Sequence, residues 1–101
     1  MVEQEKVYVG TKLKFFIEIS SPGFSIEDDN FTVDIIRGNN VIHFEKHELD
    51  FTDEGFFLCF DTSKLGVGII SAKVVAYVPD SDFDDGIRTE VVRVDLAKVY
   101  A

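Results

Sequence analysis

The chain has 101 residues, of which 46% are apolar and ten are Phe, and its formal net charge is −9. This length supports a single domain over 1–101 with one core, and the apolar content excludes a disordered chain. The negative charge disfavours nucleic acids and anionic membranes as partners, and the single cysteine, Cys59, excludes an internal disulfide.

In chain order, period-2 alternation of apolar and polar residues predicts seven strands between turns rich in Gly, Asn, Asp and Pro. The turn GNN at 38–40 is typical of a hairpin. In the last run, Val92, Val94 and Leu96 are expected to share the inward face. The strands are predicted at 6–9, 12–20, 31–37, 41–46, 56–61, 69–78 and 87–96. Their spacing of about 8–12 residues predicts an all-β antiparallel sandwich with no helix.

The stretch GVGIISAKVVAYVPDSDFDDGIRTEVV, together with the order of the strands, resembles the last two strands and closing hairpin of bacterial and phage immunoglobulin-like domains. The Cys…Trp…Cys signature of immunoglobulin domains is absent, because the chain has no Trp and only Cys59. The resemblance implies an immunoglobulin-like sandwich of about seven strands. It also implies a structural or adhesive module of the kind found in virion, prophage or bacterial surface proteins.

The loops at 20–30, 47–55 and 79–86 are predicted to lie at one end of the sandwich, because neighbouring strands alternate in direction. This end would collect eleven of the 19 acidic residues: Glu27, Asp28, Asp29, Glu48, Asp50, Asp53, Glu54, Asp80, Asp82, Asp84 and Asp85. The opposite end carries Lys12, Lys14, Arg37 and Lys64 in or beside its loops. The molecule is therefore expected to be an electric dipole along its long axis.

The segment PDSDFDDG at 79–86 places Asp80, Asp82 and Asp84 at alternate positions, a spacing that calcium-binding loops also use. An EF-hand is excluded, since Asp85 stands where its invariant Gly belongs and Val91 where its bidentate Glu belongs. An irregular calcium site between loops remains a hypothesis, with Asp80, Asp82, Asp84, Asp85, Asp28 and Asp29 as ligands. The alternatives are that these residues serve as turn formers or face a basic protein partner.

Other candidate sites are weaker. His43 and Glu45 alternate on one strand, but two ligands do not make a zinc site, so exposed strand residues are the default. Cys59 has no basic neighbour in sequence that would activate it, and no nucleophile, phosphate-binding or dinucleotide motif is present. We therefore expect no enzymatic activity and no cofactor.

Several apolar residues fall in the outward phase of their strands. Ile36, Val75, Tyr77 and Val91 are expected on the outer face of one sheet, and Phe16 and Phe57 on that of the other. Apolar patches on outer faces mark interfaces, so we expect a second copy or another protein to cover at least one face. The alternative is partial shielding by long side chains such as Lys73 and Arg93.

These observations predict a non-enzymatic structural or protein-interaction module, part of a phage-derived or bacterial surface assembly. The alternative is a calcium-dependent carbohydrate-binding module that uses the acidic loops, with Phe24 and Phe83 as the aromatic candidates. No stretch reaches the roughly 20 apolar residues of a membrane helix, and MVEQEKVYVG lacks the apolar core of a signal peptide. We therefore expect either synthesis without export or excision from a larger secreted protein.

Overall fold

The computed structural model describes residues 6–101. Residues 1–5 lie outside this range; they belong to the segment MVEQEKVYVG, for which no signal peptide is predicted. Within residues 6–101, eight strands form two sheets, with short 3₁₀ turns at Lys46–Glu48 and Thr62–Lys64. The strands are β1 (Val7–Tyr8), β2 (Lys12–Glu18), β3 (Phe31–Arg37), β4 (Asn40–Glu45), β5 (Asp50–Phe51), β6 (Gly55–Asp61), β7 (Gly68–Pro79) and β8 (Ile87–Tyr100). The prediction of an all-β sandwich is confirmed.

The two sheets differ in width. The wider sheet has the order β1-β8-β7-β3-β4 and the narrower one the order β2-β6-β5, counted over the described residues. All pairings are antiparallel except that of β1 with β8, which is parallel and joins Val7 to Val99 and Tyr8 to Tyr100. The sequence pattern indicated seven of the eight strands, but not the two-residue strand β5 or the extension of β8 to Tyr100.

The core lies between the sheets and is filled by the inward residues of β3, β6 and β7. Phe31 is fully buried, with its ring 5.3 Å from that of Phe56 and in edge contact with Phe24 and Phe51. The other buried apolar residues are Ile26, Val33, Ile35, Leu49, Leu58, Phe60, Leu65, Ile70, Ala72, Val74, Ala76, Val78 and Val99. The alternation predicted from sequence therefore assigns the inward faces of these three strands correctly.

The hairpin between β3 and β4 has a two-residue loop, Gly38 and Asn39, as the GNN signal predicts. Gly38 has a φ of 55°, whereas no residue other than Gly has a positive φ in the described part of the chain. Because only the first central residue is left-handed, the loop matches a type II′ turn, which favours Gly at that position.

Loops meet at both ends of the sandwich. At the acidic end, the amide of Tyr77 donates to the carbonyl of Asn30, and Lys46 Nζ donates to the carbonyls of Glu27 and Asp29. At the other end, the buried Thr62 hydroxyl accepts from the Gly10 amide at 2.9 Å and donates to the Thr11 carbonyl at 2.8 Å. The loops are thus sorted between the two ends as their strand directions predict. No helix of the described chain is long and apolar enough to cross a bilayer.

Candidate functional site

Strand β8 leaves apolar side chains exposed on both of its faces. Val92 and Val94 point inward and are 62% and 44% exposed, whereas their partners across β7, Val74 and Ala72, are buried. Both side chains therefore point toward the core as expected, but the expectation that they are buried in it is wrong. The reason is the unequal width of the sheets: β2 ends the narrower sheet, and no described strand lies across from β8.

An apolar cleft of about 350 Å³ opens where the narrower sheet stops. Its apolar lining comes from β2 and its continuation on one side and from β7 and β8 on the other: Ile17, Ile19, Val74, Ala76, Val92 and Val94. Glu18 and Glu90 stand at its rim together with Ser20 and Ser21. The cleft is thus an open side of the hydrophobic core.

The backbone edges that border this cleft have few partners. Among residues 6–101, β2 pairs only with β6, and the outer edge of β8 pairs only at Val99 and Tyr100, with β1. An edge strand presents a row of unpaired N–H and C=O groups to any chain that can extend the sheet. The cleft therefore combines an apolar interior with free backbone hydrogen-bonding groups.

A polar cluster closes the cleft at the acidic end. Arg88 donates to Asp80 at 2.6 Å, to Glu90 at 2.9 Å and to the carbonyl of Pro22 at 2.6 Å. The Ser21 hydroxyl donates to Glu90 at 2.6 Å, and this bond, followed by that from Arg88, lowers the pKa of Glu90. These contacts hold the loop after β2 against the start of β8 and keep Glu90 negatively charged at neutral pH.

Charge changes sign along the β2 edge beside the cleft. Strand β2 runs from Lys12 and Lys14 at one end to Glu18 at the other. Glu18 forms no ion pair with any described residue. Glu90, the other carboxylate at this end of the cleft, is paired with Arg88. Glu18 therefore makes one end of the β2 edge acidic, while Lys12 and Lys14 make the other end basic.

The outer face of the wider sheet carries the apolar residues that the sequence assigned to it. Val75 pairs directly with Val91, which is 56% exposed, and Tyr77 follows two residues along β7. Ile36 lies on the same face but is separated from Val75 by the row formed by Asp34 and Lys73. Three of the four interface residues predicted on this face therefore form one patch, and Ile36 lies apart from it.

The outer face of the narrower sheet carries a second, smaller apolar feature. Phe16 and Phe57 are paired across β2 and β6 with ring centroids 4.9 Å apart. Lys14 Nζ lies 4.8 Å from the centroid of the Phe57 ring, a cation–π contact that covers part of it.

Four of the six aspartates of the calcium hypothesis accept hydrogen bonds through their side chains, whereas the side chains of Asp82 and Asp84 accept none from the described residues. Asp80 accepts from the Asp82 amide and from Arg88, Asp85 accepts from the Ile87 amide, and Asp29 accepts from the Ser25 amide. Asp28 lies 3.3 Å from the Ser25 hydroxyl. In residues 6–101 no group of three or more His, Cys, Asp or Glu side chains is arranged to hold a metal ion. The calcium site stays a prediction, and turn formation accounts for these contacts without an ion.

His43 is the centre of an exposed polar cluster on the outer face of β4. Its Nδ1 lies 2.6 Å from Asp34 and its Nε2 lies 3.0 Å from Glu45. The hydrogen bond with Asp34, and next that with Glu45, raises the pKa of His43. Cys59 is exposed on the outer face of β6, opposite Lys14.

The described residues thus define an all-β sandwich with one wide and one narrow sheet and an open apolar side. Comparison of the chain with protein-family models, with curated proteins and with solved structures found no match in any of the three. The candidate sites therefore depend on the geometry of the chain itself. Sequence reasoning missed the cleft, although consecutive valines at 91 and 92 in the last strand are a signal that both faces of that strand are apolar.

Proposed function

We infer that the protein is a non-enzymatic module of the immunoglobulin-like type that associates with other proteins through the outer face of its wider sheet. The strand order supports this class. An immunoglobulin sandwich packs a sheet of strands C, F and G against one of strands A, B, E and D. The order β3-β7-β8 corresponds to the first sheet. Among residues 6–101, β2-β6-β5 corresponds to the second sheet without its A strand.

The observation that carries the proposal is the apolar patch of Val75, Tyr77 and Val91 on the outer face. An apolar patch with a polar border is typical of an interaction surface. Val91 is the most exposed of the three and lies in the row formed by Thr32, Val75 and Val91 across three strands. The assembly that the module would serve, phage-derived or on a bacterial surface, stays a prediction from the resemblance alone.

The charges of this face favour a second copy of the chain as its partner. Carboxylates lie on the β3–β4 side, at Asp34 and Glu45, and two cations lie on the β7–β8 side, at Lys73 and Arg93. The β7–β8 side also carries Asp95, whose carboxylate accepts a hydrogen bond from the Ser71 hydroxyl. A two-fold axis through the middle of the face would set each side against the oppositely charged side of the other copy. The interface would therefore be self-complementary, as a two-fold interface requires.

The test is sedimentation velocity over rising protein concentration at about 0.15 M salt, where the Debye length of about 8 Å screens the mutual repulsion of two acidic chains. The parent should form dimers, and Val91→Lys should remain monomeric because it places a charge in the centre of the patch. Val67→Lys is the matched control, since Val67 is 50% exposed but lies in the loop before β7. A parent that stays monomeric, or a Val91→Lys variant that dimerises as the parent does, would contradict self-association.

A further inference from the structure

The cleft between β2 and β8 is a second surface, separate from the outer face, with the features of a strand-binding site. We propose that it binds an extended segment of a partner protein, which adds to the narrower sheet as a strand antiparallel to β2. The segment has basic residues at its amino end, acidic residues at its carboxyl end and apolar residues at alternate positions between them.

Sheet width is the first argument. Neighbouring strands lie about 4.8 Å apart, so one strand added beside β2 widens the narrower sheet by one position. That position lies across from β8, where Val92 and Val94 are inward but exposed. An added strand would bury these two valines while it leaves the buried residues of β7 unchanged.

Backbone pairing is the second argument. Strand β2 is seven residues long and its outer edge is unpaired in the described chain. Extended peptides bind to such edges through main-chain hydrogen bonds, while pockets for alternate side chains supply specificity. The cleft provides these pockets between Ile17, Val74 and Val92.

The antiparallel direction is chosen because antiparallel pairing is slightly more stable than parallel pairing, and charge then sets the composition of the segment. An antiparallel partner begins beside Glu18 and ends beside Lys12, because β2 runs from Lys12 to Glu18. On the outer face, the residue opposite Glu18 should be basic and those opposite Lys14 and Lys12 acidic, since opposite charges directly across a strand pair stabilise it. On the inner face, the positions opposite Ile17, Phe15 and Leu13 should be apolar.

These positions specify a probe. The peptide Lys-Lys-Val-Thr-Val-Glu-Val-Glu, with both ends blocked, places its second Lys opposite Glu18 and its first Lys beside Glu90 at the end of the cleft. The control peptide Glu-Glu-Val-Thr-Val-Lys-Val-Lys has the same apolar residues and no net charge either, but its charges are reversed. A difference between the two peptides therefore reports charge position and not overall attraction to the acidic chain.

The experiment is a titration of the isotope-labelled full chain with each peptide, followed by nuclear magnetic resonance. We expect the first peptide to bind with a dissociation constant below about 1 mM, to shift the amide signals of β2 and β8, and to bind at least about threefold more tightly than the control peptide. Val92→Lys should weaken binding by about tenfold or more, because it places a charge in the apolar cleft. Val91→Lys is the matched control: it changes the adjacent residue on the opposite face and should leave peptide binding unaltered.

Four results would overturn the proposal. The first two are the absence of shifts in the β2 amide signals at millimolar peptide and equal binding of the two peptides. The other two are contacts from residues 1–5 to β2 in the free chain and, without any peptide, shifts of the β2 amide signals that grow with protein concentration. The third would assign the cleft to the chain's own first residues and the fourth to a second copy. Because Val91→Lys tests the outer face and Val92→Lys tests the cleft, either surface can fail without affecting the test of the other.

Discussion

Gly55→Ala is expected to destabilise the protein more than its small change in size suggests. Gly55 is buried at the start of β6 and pairs with Glu18 of β2. A Cβ atom at this position would lie 2.2 Å from the carbonyl oxygen of Ile17 and 2.9 Å from the Cα of Glu18. Both atoms belong to backbone, so β2 must move by about an ångström to reach ordinary contact, and overpacking of this kind typically costs about 1–3 kcal/mol.

The cost is partly offset, because Ala restricts the unfolded chain and thereby stabilises the folded one by about 0.4–1 kcal/mol. A net loss of about 1–2 kcal/mol is a large part of the roughly 5–15 kcal/mol expected for a domain of this size. At about 4–8 °C per kcal/mol, the melting temperature should fall by about 4–16 °C. Urea unfolding at equilibrium, followed by circular dichroism, measures the free energy directly.

Gly86→Ala is the control for this prediction. Gly86 has a φ of 74° and nothing within 4 Å of the added Cβ, so its substitution costs about 1–2 kcal/mol through the left-handed backbone alone and leaves β2 in place. The two variants also differ in where they act, since only Gly55→Ala should shift the amide signal of Ile19, which donates to the Glu54 carbonyl. The reasoning is refuted if Gly55→Ala unfolds within about 0.5 kcal/mol of the parent, which is the range of neutral surface changes.

Two further predictions concern polar groups. Thr62→Val should lower the free energy of unfolding by about 1–3 kcal/mol, because the Gly10 amide loses its acceptor; urea unfolding tests this, and a variant as stable as the parent would contradict it. The pKa of His43 is raised above its ordinary value by its hydrogen bonds with Asp34 and Glu45, so the protonated form is favoured in the folded chain. The stability that protonated His43 contributes through these hydrogen bonds should be fully present below a pH of about 6.5 and lost as the pH rises through the raised pKa. In a nuclear magnetic resonance titration, Asp34→Asn should return the pKa of His43 toward its ordinary value, and an unchanged pKa would show that Asp34 is not the cause.

Local alternation was sufficient to predict the fold class and the inward faces of the central strands. Phe31, Val33 and Ile35 alternate with polar residues in β3, and each is fully buried. The hairpin at Gly38 was equally predictable, because a two-residue loop requires a residue that tolerates positive φ. In these segments the side-chain pattern and the turn chemistry agree, so the sequence determines them locally.

The features that the sequence did not reveal depend on partners distant in the chain. The parallel pairing of β1 with the end of β8 joins residues separated by most of the sequence. The exposure of Val92 and Val94 depends on how many strands the opposite sheet contains, which alternation within β8 cannot report. The aspartates at 79–86 could be recognised as turn residues, but their bonds to Arg88 and to neighbouring amides became visible only in three dimensions.

The cleft and the outer face differ in what their exposed valines imply. A valine on the outer face of a sheet can remain in water in a stable monomer, because much of any protein surface is apolar. Val92 and Val94 instead point toward the core, beside the edge of β2 that no residue of 6–101 pairs with. Burial of one fully exposed valine contributes about 1.5–3 kcal/mol. Since Val92 and Val94 are 62% and 44% exposed, covering both contributes about as much as one such valine, which offsets part of the entropy lost when a flexible segment binds. The cleft is therefore the surface at which a short extended segment gains most, whereas the outer face requires a partner as broad as the sheet itself.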